Sequence, residues 1–132
     1  MTENQIQAQI VKYLDLQYPN VLYKCDTNQG TKLSGDAKQR MIQGAKLKRL
    51  GNKRGFPDIM IFEPRGNYYG LFIELKKDGT KLYNSKCEPS NSHIKEQYSI
   101  LKELEIRGYY ACFAIGFEHC KNIIDIYLKL KE

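Results

Sequence analysis

The chain has 132 residues, of which 42% are hydrophobic and 27% are charged, and its formal net charge at pH 7 is +6. This size suits one domain with a substantial core, over residues 1–132, and the composition excludes a disordered chain. No apolar run approaches the ~18 residues of a membrane helix, and the opening MTENQIQAQI lacks the features of a signal peptide. We therefore expect a cytoplasmic protein with no membrane partner.

The first predicted element is an amphipathic helix near the amino terminus. Thr2 can cap it, and Gln5 can complete a capping box three residues later. Glu3 lies in the first turn, near the core-facing edge, where a carboxylate also suits the helix dipole. A short strand is predicted over 21–25, and the polar loop DTNQGTKLSGD follows it.

The positive charge is concentrated in one segment, residues 31–54. This segment holds eight basic residues and one acid, Asp36, for a net charge of +7, so the remainder of the chain carries −1. A basic helix is predicted over 36–50, with Gly51 as its stop. Its apolar side is predicted to consist of Ala37, Met41, Ala45 and Leu50. Charge runs also occur on solvated helix faces, but a run this one-sided favours a polyanion, and above all nucleic acid.

Two predicted strands follow, DIMIF at 58–62 and GLFIELK at 70–76, and charged residues interrupt their apolar pattern. Side chains alternate along a strand, so Glu74 and Lys76 share one face. If the hairpin folds about Gly66, Asp58 lies directly across from Glu74 on that face. A slip of one residue would separate the two acids.

Two facing carboxylates repel each other, and burying them without a partner costs several kcal/mol each. A divalent cation between them would compensate, and Mg²⁺ prefers one or two carboxylates together with water and phosphate oxygens. Lys76 follows Glu74 by about 6.6 Å along the strand, where its ammonium can reach a phosphate or a metal-bound water. The residues alone also allow a solvent-facing strand with a cross-strand ion pair.

The third predicted helix follows a loop over about 78–91 that has turn chemistry and no apolar period. Asn91 or Ser92 can cap this helix, and Gly108 ends it. Gln97 occupies a position in its otherwise apolar stripe.

A strand at 109–115 and a last helix at about 118–131 complete the predicted elements. The order helix, strand, helix, strand, strand, helix, strand, helix predicts an α/β fold with a mixed sheet flanked by helices. The four cysteines show no Cys-x-x-Cys spacing, which favours reduced thiols over a zinc site.

Several of these pieces together resemble a known nuclease family. GFPD at 55–58 followed by IELK at 73–76 resembles the D…(E/Q)-x-K signature of the PD-(D/E)xK nucleases. With an E-x-Q in the first helix and a later helical Gln, the chain is similar over about 3–130 to the VRR-NUC family of virus-type replication and repair nucleases. The resemblance implies a restriction-endonuclease-like αβββαβ core with extra helices.

The resemblance also implies catalytic roles by position. Asp58 and Glu74, helped by the Leu75 carbonyl, would bind Mg²⁺ or Mn²⁺. Lys76 would orient or activate the attacking water and stabilise charge on the phosphate. Glu3 matches the family's acid in the first helix, and Gln97 matches the later Gln that reaches the site from beneath. The expected DNA contacts are Asn28, Lys46, Lys48, Arg49, Lys53, Arg54 and Lys77.

Short stand-alone chains of this type resemble the phage and bacterial branch of the family, whose members are similar to Holliday-junction resolvases and act as homodimers. The expected function is therefore metal-dependent, structure-selective DNA cleavage, with a four-way junction as substrate. The last helix is one candidate dimer interface. The alternatives are a non-catalytic nucleic-acid-binding module and a restriction-type or flap nuclease.

Overall fold

A computed structural model describes residues 1–27 and 33–132, and its helices and strands follow the predicted order. The elements are α1 (Glu3–Gln17), β1 (Tyr23–Cys25), α2 (Ala37–Arg49), β2 (Ile59–Ile61), β3 (Leu71–Lys76), α3 (Ser92–Ile106), β4 (Tyr110–Ile115) and α4 (Gly116–Leu128). None of these helices, in the part of the chain that is described, is long and apolar enough to cross a bilayer.

The strands form one mixed sheet in the order β1-β2-β3-β4. β1 pairs with β2 and β2 with β3 in antiparallel fashion, whereas β3 and β4 are parallel. A parallel pair requires a crossover connection, which α3 supplies between β3 and β4. The predicted mixed sheet with flanking helices is confirmed.

The register of the β2–β3 hairpin is the predicted one. Ile59 pairs with Ile73, and the next pairs along the ladder follow in step. One residue further toward the open end of the hairpin, this register sets Asp58 opposite Glu74. The two acids therefore occupy facing positions, as the sequence pattern predicted.

The sequence predicted that the hairpin turns at Gly66 alone, whereas the structure forms the turn from two residues. Arg65 and Tyr68 form a bridge around a two-residue turn, in which Gly66 has a φ of 57°. A side chain at that φ is strained, so glycine suits the position. Three residues, 62–64, connect the ladder to the turn on the β2 side, whereas two residues, 69–70, connect them on the β3 side. The extra residue on the β2 side keeps the ladder in the predicted register.

The hydrophobic core lies between one face of the sheet and the helices α1 and α4. Its fully buried side chains from α1 are Ile6, Ile10 and Leu14, and those from β2 and β3 are Ile59, Ile61, Leu71, Ile73 and Leu75. Burying an apolar side chain of this size contributes about 1.5–3 kcal/mol. The opposite face of β3 carries Phe72, Glu74 and Lys76, and α3 reaches it through Gln97.

The predicted helix starts are confirmed where capping chemistry was visible. The Thr2 side chain accepts a hydrogen bond from the Gln5 backbone amide, and the Gln5 side chain accepts one from the Thr2 backbone amide. Together these two bonds form a complete capping box. Asn91 caps α3 by accepting from the amide of Ile94 at 2.9 Å. These bonds satisfy amides that would otherwise lack partners in a first turn.

The predicted basic helix is confirmed as α2, and its modest apolar side is exposed. Met41 is 76% exposed and Leu50 is 73% exposed, and no residue of α2 is buried. The basic residues at 38, 40, 46, 48 and 49 interrupt the helix too often for a continuous apolar stripe. α2 therefore presents its charge to solvent.

Helix α4 begins two residues before the predicted start and ends three residues before the predicted end. Gly116 adopts a φ of 82°, which lets the helix begin directly after β4. His119 Nδ1 then accepts from the Ile115 amide at 2.9 Å. Ile124 and Tyr127 are buried inside the chain, and Ile126 stays 67% exposed. Most of the apolar set considered for a dimer interface thus belongs to the core.

Candidate active site

Two buried carboxylates face each other at the open end of the hairpin. Asp58 is 8% exposed and Glu74 is 4% exposed, and their carboxyl groups lie close enough to share a proton. Asp58 Oδ2 also accepts from the Leu75 amide at 2.8 Å. The N–H and C=O of one strand residue point to the same side, so the Leu75 carbonyl also faces the Asp58 side.

The backbone around Asp58 is held from two directions. Gly55 has a φ of 84°, and a Cβ there would lie 3.3 Å from the Glu96 carbonyl oxygen, so this turn packs closely on α3. On the other side the Asp58 carbonyl accepts from the Asp26 amide at 2.7 Å. Gln7 Nε2 in turn donates to the Asp26 carbonyl at 2.8 Å. Helix α1 is thereby connected to the position of Asp58.

The environment disfavours two negative charges in this pair. Burial and, after it, the charge of Asp58 together raise the pKa of Glu74 to about 9. Burial also raises the pKa of Asp58, to about 6, although the hydrogen bond from Leu75 opposes that rise. At neutral pH and without a cation, the pair therefore holds a proton.

Lys76 and Glu3 act on the pair with opposite signs. Lys76 is 6% exposed on the same face as Glu74, and its charge lowers the pKa of both carboxyl groups. Glu3 is exposed in the first turn of α1, and its charge raises both pKa values. The structure thus brings the predicted acid of the first helix to the edge of the site.

Gln97 reaches the pair from α3, as the family resemblance implied. Its Nε2 donates to Glu74 Oε1 at 2.6 Å, and its side chain is buried. Two buried oxygens of these residues, Glu74 Oε2 and Gln97 Oε1, have no hydrogen-bond partner within residues 1–27 and 33–132. In the metal-free pair the shared proton can satisfy Glu74 Oε2, whereas Gln97 Oε1 still lacks a donor, so a cation or a water is expected beside it.

The donor set fits Mg²⁺ or Mn²⁺ better than a softer metal. It consists of carboxylate, carbonyl and amide oxygens, which are the ligands that hard divalent cations prefer. No group of three or more His, Cys, Asp or Glu side chains suited to a metal occurs among the described residues. Two carboxylates are enough for Mg²⁺, which keeps several waters and also takes phosphate oxygens.

A basic cleft of about 1130 Å³ adjoins this site between α2 and α3. Of the predicted DNA contacts, Lys48, Lys53 and Arg54 line the cleft. Lys46 and Arg49 are exposed on α2 without lining it, and Lys77 is exposed directly after Lys76. Asn28, also predicted to contact DNA, lies outside the described residues.

Sequence reasoning missed two polar residues that contact the site. Gln7 supports Asp58 indirectly, through its hydrogen bond to the Asp26 carbonyl. The Nε2 atom of His93 lies 3.2 Å from the Nε2 atom of Gln97. His93 also lines the basic cleft. Its spacing of four residues from Gln97 puts both on one helix face, which was a usable signal. The contact of Gln7 depends on how α1 packs against the end of β1, and no residue spacing within α1 predicts it.

No protein-family model matches the chain, and no curated protein matches it. Among solved structures, a chain described as a VRR_NUC domain protein aligns with a TM-score of 0.68 and 30% sequence identity. The alignment covers 100% of this chain and 92% of that one. The fold and the site define a nuclease-family domain with a restriction-endonuclease-like architecture. The chain belongs to the VRR-NUC family.

Proposed function

We propose that the protein is a metal-dependent endonuclease that hydrolyses phosphodiester bonds in DNA. The observation that carries the proposal is the facing pair of buried carboxylates, with unpartnered oxygens beside it, next to a basic cleft. A structural role does not account for this arrangement, because a buried carboxyl pair that must hold a proton and an unpartnered buried acceptor both lower stability.

Asp58 and Glu74 would hold Mg²⁺ or Mn²⁺ together with the Leu75 carbonyl. When bound, such an ion polarises a phosphate oxygen and lowers the pKa of its bound water. The hydrogen bond from the Leu75 amide orients the Asp58 carboxylate, and the bond from Gln97 orients that of Glu74. Both ligands are therefore positioned before any ion arrives, which reduces the cost of binding it.

Lys76 supplies a fixed positive charge on the same face. Its ammonium stabilises the negative charge that develops on the phosphate during attack, and it helps to hold the attacking water. Glu3, exposed at the edge of the site, supports a water near the cation. The expected products carry a 5′-phosphate and a 3′-hydroxyl.

The basic cleft would hold the DNA backbone beside the carboxylates. Lys53 and Arg54 are the nearest of its cations along the chain, because they directly precede Gly55 and the turn into Asp58. Binding through Lys and Arg releases counterions, so the affinity should fall steeply with salt. Lys46, Arg49 and Lys77 would extend this contact over the surface, together with Asn28.

The substrate we propose is branched DNA, in particular a four-way junction. Cutting a junction on two strands requires two sites, and a twofold-symmetric homodimer supplies them. Because α4 buries most of its apolar residues, Ile126 is the exposed apolar side chain that this helix still offers to a partner. Light scattering in the presence of junction DNA tests the dimer, and a monomer alone would contradict it.

A cleavage assay on four substrates tests the function. Wild type, Asp58→Ala and Lys76→Ala are incubated with junction, flap, linear duplex and single-stranded DNA, in Mg²⁺ and in EDTA. We expect wild type to cut the junction in Mg²⁺ only, and both variants to bind DNA without cutting it. Glu103→Ala and Lys102→Ala, which alter exposed residues of α3, are the matched controls and should cut normally.

The same assay separates the alternatives. Cleavage by Asp58→Ala, or cleavage by wild type in EDTA, would contradict the proposed site. DNA binding by the wild type without any cleavage in Mg²⁺ would indicate a non-catalytic nucleic-acid-binding module. Preferential cutting of flaps, or of linear duplex at a fixed sequence, would indicate a flap or restriction-type nuclease.

A further inference from the structure

The amide of Gln97 lies between the candidate cation site and the cleft. Its Nε2 is 2.6 Å from Glu74 Oε1 and 3.2 Å from His93 Nε2. The amide nitrogen carries two hydrogens and accepts nothing, so both contacts require it to donate. His93 Nε2 is therefore the acceptor, and the neutral His93 ring carries its proton on Nδ1.

This contact decides which way the Gln97 amide points. With both N–H groups used, Gln97 Oε1 stays free, buried and unpartnered among the described residues, as does Glu74 Oε2. A rotation of the amide by half a turn would set its oxygen against the ionised Glu74 of the cation-bound site, which repels it, and would require His93 to carry its proton on Nε2 instead. The Nδ1–H tautomer of His93 therefore favours the observed orientation, in which both N–H groups donate. His93 thus supplies one of the two contacts that hold Gln97 Oε1 in place.

We propose that His93 is a positioning residue, which fixes the Gln97 amide so that Gln97 Oε1 faces the cation or a water bound to it. The inference rests on the proposed function, since it assumes that the carboxylate pair binds a cation. His93 itself is exposed on the wall of the cleft and acts through Gln97. A simple solvated histidine would have no fixed tautomer and no effect on metal affinity.

The tautomer of His93 is the first test, and the chain contains its own comparison. The chain has two histidines, and the second, His119, accepts from the Ile115 amide through Nδ1. ¹⁵N-resolved NMR at a pH where both rings are neutral should show Nδ1–H for His93 and Nε2–H for His119. Gln97→Leu should release the His93 preference and leave His119 unchanged. A proton on Nε2 of His93 in the wild type would overturn the inference.

The second test measures Mn²⁺ affinity without DNA, so that contacts from the cleft to DNA do not enter. His93→Leu removes the acceptor and should weaken Mn²⁺ binding about 10-fold, as loss of supporting contacts around metal ligands commonly does. His93→Gln keeps an acceptor oxygen and should bind within about threefold of wild type. His119→Leu is the control and should bind Mn²⁺ as wild type does, and thermal melts check that each variant is folded.

The possible outcomes separate the two proposals. If wild type binds Mn²⁺ and His93→Leu binds it equally well, the positioning role is wrong and the proposed function stands. If wild type binds no Mn²⁺, the proposed function itself fails. Weaker binding by His93→Leu, restored by His93→Gln, supports the positioning role.

Discussion

The two faces of strand β3 are both buried, but one is wholly apolar and the other carries two charged side chains beside Phe72. On one face Leu71, Ile73 and Leu75 are fully buried under α1 and α4. On the other, Glu74 and Lys76 are almost as inaccessible, at 4% and 6% exposure. The apolar face meets apolar partners, whereas the charged face meets a second carboxylate and an amide with a free oxygen.

This difference shows that burial alone does not say what a residue contributes. The apolar face stabilises the fold through area removed from water. The charged face lowers the stability of the metal-free protein, because replacing buried ionic groups by apolar ones of similar volume is often stabilising. A face that costs stability is explained if a ligand compensates for it, and the ligand we propose is a divalent cation on a DNA phosphate.

The largest expected effect follows from Glu74→Gln, which keeps the shape and removes the charge. We expect Mg²⁺-dependent cleavage to fall by at least about 10³-fold, since metal-ion catalysis supplies several kcal/mol. DNA binding in EDTA should be unchanged, as measured by fluorescence anisotropy. Cleavage within tenfold of wild type would show that the charged face is not the site.

Lys76→Met should have the next largest effect. It removes the ammonium and keeps much of the side-chain length, so we expect a loss of about 10²–10³-fold in the single-turnover rate, by comparison with the removal of other fixed charge-stabilising donors. Mn²⁺ should still bind, because Lys76 is no ligand. A rate near that of wild type would remove Lys76 from the mechanism, and complete loss of Mn²⁺ binding would make it a structural residue instead.

Ile73→Ala tests the opposite face one residue away. Ile73 is fully buried in the core, so the substitution should lower the free energy of unfolding by about 2–5 kcal/mol. Cleavage per folded molecule, measured well below the melting temperature, should stay within about threefold of wild type. If folded Ile73→Ala protein lost as much cleavage as Glu74→Gln does, the apolar face would contribute to catalysis as well as to stability, which contradicts the comparison.

The smallest effect, per pH unit, is a pH dependence of stability in EDTA. The pKa of Glu74 is 4.5 ordinarily and about 9 in the fold, so between these values the folded state binds more protons than the unfolded one. Stability contributed by this group therefore falls as pH rises through that window, by at most about 1.4 kcal/mol per pH unit. Glu74→Gln should remove this slope. Parallel curves of melting temperature against pH for both proteins would contradict the raised pKa.

Much of this site follows from local pattern, because strand alternation and hairpin register are local rules. They predicted that Asp58 faces Glu74, whereas the contact of Gln97 with the same place was implied by the resemblance to the VRR-NUC family. The capping residues Thr2 and Asn91 were likewise readable, since each bonds an amide within its own first turn.

The failures have a common physical origin, which is contact between distant segments. The exposure of Met41 on α2 depends on whether a surface exists for that helix to cover. The early start of α4 depends on the backbone of Gly116 after β4. The bond from Gln7 to the Asp26 carbonyl depends on how α1 meets the end of β1. Periodicity within one element does not report any of these contacts.

The most direct test of the account is a calorimetric titration of the metal-free protein with Mn²⁺ at pH 7, in two buffers that differ in ionisation enthalpy. Because the Asp58–Glu74 pair holds a proton at that pH, binding should release about one proton per ion. We expect wild type to bind with this release, and Glu74→Gln to bind far more weakly and without it. Absence of Mn²⁺ binding by wild type, or equal binding by Glu74→Gln, would contradict a cation as the reason for the facing carboxylates.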